Sequence, residues 1–169
     1  NVIAPIENTR LAKQELDGKL LLDTPGALWN QQLLDELRVT EAPELARIVV
    51  SVDPSVGGGD PEGDECGIVV SGIGYPDGAK DPHLYVLEDL SGLFPPDQWA
   101  ARVVYAYHRW HADRIVAEVN NGGDLVKQTI HTVDPNVPYK PVHATRGKYT
   151  RAEPVAAFYT QRRAHHVGS

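Results

Sequence analysis

The stretch Arg47-Ile48-Val49-Val50-Ser51-Val52, closed by Asp53-Pro54, constrains the fold more than any other part of this chain. β-Branched residues pack well on a pleated surface, and an apolar run of this length suits a strand covered on both faces. Proline at 54 has no N–H to give to a ladder, so the strand stops there. A central strand of this kind needs neighbours and helical cover. Residues 55–65 are rich in Gly and Asp and read as a loop, after which residues 67–75 and 83–90 read as two more strands around the turn Pro76-Asp77-Gly78. Short connections between three successive strands imply an antiparallel set.

Helical cover follows. Trp99, Val103, Tyr107 and Trp110 recur at helical spacing across residues 96–111, which predicts an amphipathic helix. Residues 114–118 form a short apolar strand ending in Glu118, residues 121–133 are again helical, residues 139–143 read as a strand, and residues 150–162 as a helix introduced by Gly147-Lys148. The order β-β-β-α-β-α-β-α predicts an α/β fold. Its mixed sheet has three antiparallel strands, then strands joined by helices, with helices on both faces. Ahead of it, Leu11, Leu16 and Leu20 suggest a helix capped by Asn8 or Thr9, Asp23-Thr24-Pro25-Gly26 suggests a turn, and residues 31–37 are helix-like. Residues 1–42 are therefore expected to be an arm, with the domain proper at residues 43–169.

With 169 residues, 41% of them hydrophobic, the chain can bury one real core. It has no apolar run of membrane-spanning length and no signal-peptide pattern, so neither a membrane nor secretion is expected. The single cysteine, Cys66, is expected to be a packed residue. The chain begins at Asn1 and contains no Met, which points to a piece of a longer product.

A net charge of −7 argues at first against a nucleic-acid partner, but the charge is segregated. Lys140, Arg146, Lys148, Arg151, Arg162 and Arg163 stand against Glu153 alone over residues 140–163, so that segment carries +5 and the remainder −12. An acidic body with one basic segment suits a metal-dependent nuclease, whose carboxylates gather cations while a separate surface meets the phosphate backbone. A solvated basic face is the simpler alternative. Asp53 and Glu118 end two strands. If these strands are neighbours, both side chains emerge at one edge, where hard oxygen donors could share Mg²⁺ or Mn²⁺. Two such ions supply what phosphodiester hydrolysis needs: an activated water, neutralised phosphate charge and a stabilised leaving oxygen. The alternative is a turn-initiating Asp53 and a solvated Glu118.

Five pieces, in order, carry a resemblance to a known family. They are Val52-Asp53-Pro54-Ser55, Asp64-Glu65-Cys66-Gly67-Ile68-Val69-Val70, Ala117-Glu118-Val119-Asn120-Asn121-Gly122-Gly123, Gly147-Lys148 and Arg151-Ala152-Glu153-Pro154-Val155. Together they resemble the nuclease domain of tailed-bacteriophage terminase large subunits. Arg10-Leu11, residues 14–18 and Gly26-Ala27-Leu28-Trp29 resemble the linker between that family's packaging ATPase and its nuclease. The resemblance implies a ribonuclease H-like fold and a two-metal endonuclease that cuts concatemeric double-stranded DNA in the host cytoplasm during virion assembly. It also implies that Asp53 bridges the metals, that Glu118 binds one of them, and that Asp64 is a further candidate ligand. In the full protein it implies an ATPase domain, a portal and a small terminase subunit as partners. The family's third acidic ligand lies shortly after the strand that here includes His165-His166-Val167-Gly168. It is therefore expected beyond Ser169, with Asp124 and Glu153 poor substitutes, so the fragment is expected to be weakly active or inactive. A P-loop is absent, since Val142 stands where the first Gly of Gly-x-x-x-x-Gly-Lys should be and Tyr149 where the hydroxyl residue should be.

Lys148 and Arg151, with Arg146 nearby, flank a loop-to-helix junction and are expected to touch DNA phosphates. Asp60 reads as a solvated acid and Gly57-Gly58-Gly59 as loop flexibility. His165 and His166, facing opposite ways on a strand, read as structural, and Trp29, Trp99 and Trp110 as core residues or pins for the arm. Two other readings keep parts of this pattern: a resolvase or transposase on the same fold, and a non-catalytic module docking on DNA or a portal.

Overall fold

The computed structural model describes residues 27–54, 64–119 and 123–168. The expected helix around Leu11, Leu16 and Leu20, the triple glycine, Asp60 and Asn120-Asn121-Gly122 all lie outside them. The elements are α1 (Gln31–Glu36), β1 (Leu45–Asp53), β2 (Gly67–Gly74), β3 (His83–Asp89), α2 (Pro96–Arg109), β4 (Arg114–Glu118), α3 (Gly123–Val133), β5 (Tyr139–Val142), α4 (Lys148–Thr160) and β6 (Ala164–His166). Six strands form one mixed sheet in the order β5-β4-β1-β2-β3-β6. β1, β2 and β3 are antiparallel neighbours, while β4 pairs with β1, β5 with β4, and β6 with β3 in parallel. The expected α/β order is met.

One face of the sheet holds the main core. Val50 and Val52 of β1, Ile68 and Val70 of β2, Tyr85 and Leu87 of β3, and Ile115 and Ala117 of β4 are buried against Trp99, Val103, Val104 and Ala106 of α2 and Val126 and Ile130 of α3. α2 starts well because Pro96 occupies its first turn, where no N–H partner is needed, and Asp97 there opposes the positive end of the helix dipole. The opposite face is covered differently. Leu37, Tyr159 and Ala164, with Leu33, Leu34, Leu84 and Phe158, form a second cluster that packs α1 and α4 on the β3–β6 edge.

This asymmetry corrects the expectation that β1 is covered on both faces. Val50 and Val52 are buried, but Val49 and Ser51 are only half-buried and Arg47 is exposed. α2 and α3 lie on one side, and the helices of the other side are anchored at the far edge of the sheet. On the second face Val49 and Ser51 of β1 are therefore only partly covered, and the last residue on that face, Asp53, is exposed.

Residues ahead of β1 are built onto the same far edge. Val39 bridges Val167, its N–H bonding the His166 carbonyl at 2.9 Å while Gly168 donates to Val39 at 2.9 Å. Trp29 lies 5.8 Å from the Tyr159 ring. Cys66 is fully buried and exchanges both backbone hydrogen bonds with Gly92, as a packed residue should. Trp99 is core, and Trp110 donates to Glu88 at 2.6 Å. No helix among the described residues is long and apolar enough to cross a membrane.

Candidate active site

The last register pair of β1 and β4 is Val52 with Ala117, and both of these side chains are buried in the main core. Side chains alternate along a strand, so the next residues, Asp53 and Glu118, emerge on the opposite face, side by side at the carboxyl ends of two central parallel strands. This is the position at which open α/β sheets bind ligands. The neighbouring position on β2 is Gly67, opposite Asp53; a Cβ there would sit 3.6 Å from the Asp53 Cβ, so the glycine keeps that flank of the carboxylate low. On the other flank Gly123 opens α3 so close to Val119 that a Cβ would fall 2.9 Å from the Val119 Cβ. Only glycine lets the helix begin so near the end of β4.

The two carboxylates feel each other. Burial first, and the Glu118 charge second, push the Asp53 carboxyl above its ordinary range, while Lys148 and Arg151 pull it back. These cations come from the first turn of α4, delivered by the loop after β5. Arg151 reaches Glu118 directly, its Nη1 donating to Oε2 at 2.8 Å. Lys148 and Arg146 are exposed. A cluster of acid ringed by base thus forms on the open face. α4 is about 20 Å long, close to the roughly 19 Å from β4 to β6, so its first turn lies by the carboxylates and its last on the far edge.

Other candidates fall elsewhere. Asp64 is exposed just ahead of Cys66. Asp124 is in the first turn of α3 and exposed, and Glu153 is exposed on α4. Among the described residues, no group of three or more His, Cys, Asp or Glu side chains is placed to hold one metal ion. Asp53 and Glu118 are nonetheless a fitting start for a divalent site, because they are adjacent oxygen donors whose mutual repulsion an added cation would relieve. His165 and His166 face opposite ways as expected. His165 Nδ1 donates to the Leu37 carbonyl at 2.9 Å and its ring stacks on Tyr85, while His166 Nε2 lies 2.7 Å from the Tyr159 hydroxyl. Sequence reasoning missed the Arg151–Glu118 pair. The partners are 33 residues apart, and no local pattern joins them.

The family model of the terminase RNaseH-like domain matches residues 50–169. The chain belongs to that family. The matched span contains Asp53, Glu118, Lys148 and Arg151, and so takes in the whole acid-and-base cluster. No curated protein matches the chain. Among solved structures, the nuclease domain of the large terminase subunit of bacterial virus Sf6 is similar at 13% identity and a TM-score of 0.52, over 78% of this chain and 54% of that one. The large terminase nuclease from thermophilic phage G20c is similar at 11% identity and a TM-score of 0.50, over 81% and 75%. RuvC from Thermus thermophilus matches at 15% identity and a TM-score of 0.41, over 57% of this chain and 61% of that one. The chain thus spans between about half and three quarters of these structures. At such identities the likeness to the two terminase nucleases establishes the fold alone, a ribonuclease H-like mixed sheet with flanking helices.

Proposed function

We propose that this domain is a divalent-metal-dependent DNA endonuclease that cuts concatemeric double-stranded DNA for a phage packaging terminase. The observation that carries the reading is the pairing of Asp53 with Glu118 on the open face of two central parallel strands, with Lys148 and Arg151 facing them. Two divalent cations, Mg²⁺ or Mn²⁺, would supply an activated water and neutralise charge on the phosphate and the departing oxygen. Asp53 and Glu118 would hold them as anionic oxygen donors, with exposed Asp64 a further candidate ligand. The β-strands fix the two carboxylates more rigidly than loops could, which suits a reaction that depends on geometry. Lys148 and Arg146 meet the phosphate backbone, which is bound by charge and without reading bases.

In this reading residues 43–169 are the nuclease domain and residues 1–42 the arm towards an ATPase domain, and the protein works with a portal and a small terminase subunit in the host cytoplasm. The test is cleavage of supercoiled plasmid with Mn²⁺ by the intact protein carrying Asp53→Asn or Glu118→Gln. Each variant should keep native circular dichroism and lose cleavage to background. Cleavage retained by either folded variant would leave the domain as a docking module with incidental carboxylates.

A further inference from the structure

Arg151 stands in the basic segment, yet its guanidinium points back at a carboxylate of the sheet. Its Nη1 is 2.8 Å from Glu118 Oε2, and the side chains of Arg151 and Glu118 retain 37% and 25% of their exposure. The pair joins the first turn of α4 to the end of β4, with the Arg151 N–H also closing onto the Gly147 carbonyl at 3.2 Å. Its charge reaches Asp53 as well. Lys148, three residues earlier, is exposed and acts on Asp53 through its charge. The two cations of this turn are therefore not equivalent, although their sequence context is the same.

We propose that Arg151 is the resident counter-ion of Glu118, a positioning residue that a divalent cation must displace or share with, and not a ligand of the DNA backbone. The inference rests on the reading of Asp53 and Glu118 as cation ligands. Two carboxylates on neighbouring strand ends repel each other when no ion lies between them, and a guanidinium with planar, paired donors is the side chain best shaped to offset that. The same guanidinium opposes an incoming cation in two ways: it occupies an oxygen that the ion needs, and it repels the ion's charge. Orientation of Glu118 works in the other direction. An exposed ion pair contributes little to holding a side chain, whereas a full positive charge beside a divalent ion acts at short range, so repulsion wins.

The experiment titrates Mn²⁺ alone into the protein, following the electron paramagnetic resonance signal of free Mn²⁺, for the parent, Arg151→Ala, Arg151→Gln, Arg151→Lys and Lys148→Ala. Both uncharged Arg151 variants should bind Mn²⁺ about 3- to 30-fold more tightly, and Arg151→Lys should stay near the parent. Binding to a duplex across a salt series, without divalent ions, supplies the second readout. The slope should be unchanged in the Arg151 variants and shallower by roughly one unit in Lys148→Ala. Unchanged or weaker Mn²⁺ binding in Arg151→Ala and Arg151→Gln would overturn the proposal, as would a slope lowered as much as in Lys148→Ala. Failure of the underlying metal reading looks different: the parent binds no Mn²⁺, or Asp53→Asn binds it equally well.

Discussion

His83, His165 and Tyr85 stack at the β3–β6 edge, with His83 Nδ1 2.8 Å from His165 Nε2 and rings 5.1 and 5.0 Å apart. Because His165 Nδ1 must donate to the Leu37 carbonyl, its Nε2 is the acceptor in the neutral ring, and His83 Nδ1 carries the shared proton. Burial, then His165 and Arg163, hold the His83 pKa below its ordinary 6.5 against a smaller pull from Asp81, and burial and Arg38 lower that of His166. The unfolded chain therefore takes up these protons first as pH falls. The stability is present above pH 6.5 and is lost as pH falls below it towards the lowered folded values. Thermal melts of the metal-free protein between pH 7.5 and 5 should show a falling Tm, with a flatter pH profile in the His83→Gln, His166→Gln double variant. An equally steep profile in the double variant would assign the acid sensitivity to other groups.

At the scale of elements, both long helices end in the same way. After α2, His111 takes a φ of +47°, with Ala112 N–H bonding the Tyr107 carbonyl and His111 N–H that of His108. After α4, Arg162 takes a φ of +58°, with Arg163 N–H bonding the Phe158 carbonyl and Arg162 N–H that of Tyr159. These are Schellman ends in which a side-chain-bearing residue occupies the place that usually belongs to glycine. The expected helix over residues 150–162 overran this end because no glycine marks it. Arg162→Gly should relieve the left-handed strain and stabilise the protein by up to about 1 kcal/mol, raising Tm by roughly 2–4 °C. Its 3.2 Å ion pair with exposed Glu36 offsets little of that gain. A lower Tm in the glycine variant would mean that the arginine contacts outweigh backbone strain.

For the whole molecule, the decisive property is that acid and base are separated along the chain but meet in space. The body carries −12 and residues 140–163 carry +5, and α4 brings the basic end to the carboxylates on the open face. A phosphate backbone lying there would meet Lys148 and Arg146 first. Replacing both by Ala should weaken duplex binding similarly for unrelated sequences and reduce the salt slope by roughly two units. Sequence-dependent loss, or an unchanged slope, would place the DNA path on another surface.

Element order, the acid at the end of each of two strands, and the membership of Lys148 and Arg151 in one basic helix start were all legible in the residues, because apolar periodicity and strand-ending charges are local signals. Adjacency was not. That β1 and β4 pair in parallel with Val52 beside Ala117 is a property of the sheet, and it alone sets Asp53 next to Glu118 on one face. The open face itself escaped the sequence, since an apolar run such as that of β1 looks the same whether one side or both are covered. Pairing of Arg151 with Glu118 required α4 to cross the sheet, and the column of His83, Tyr85 and His165 required β6 to add to β3. Each depends on contacts between residues far apart in the chain, which only the packed structure brings within bonding distance.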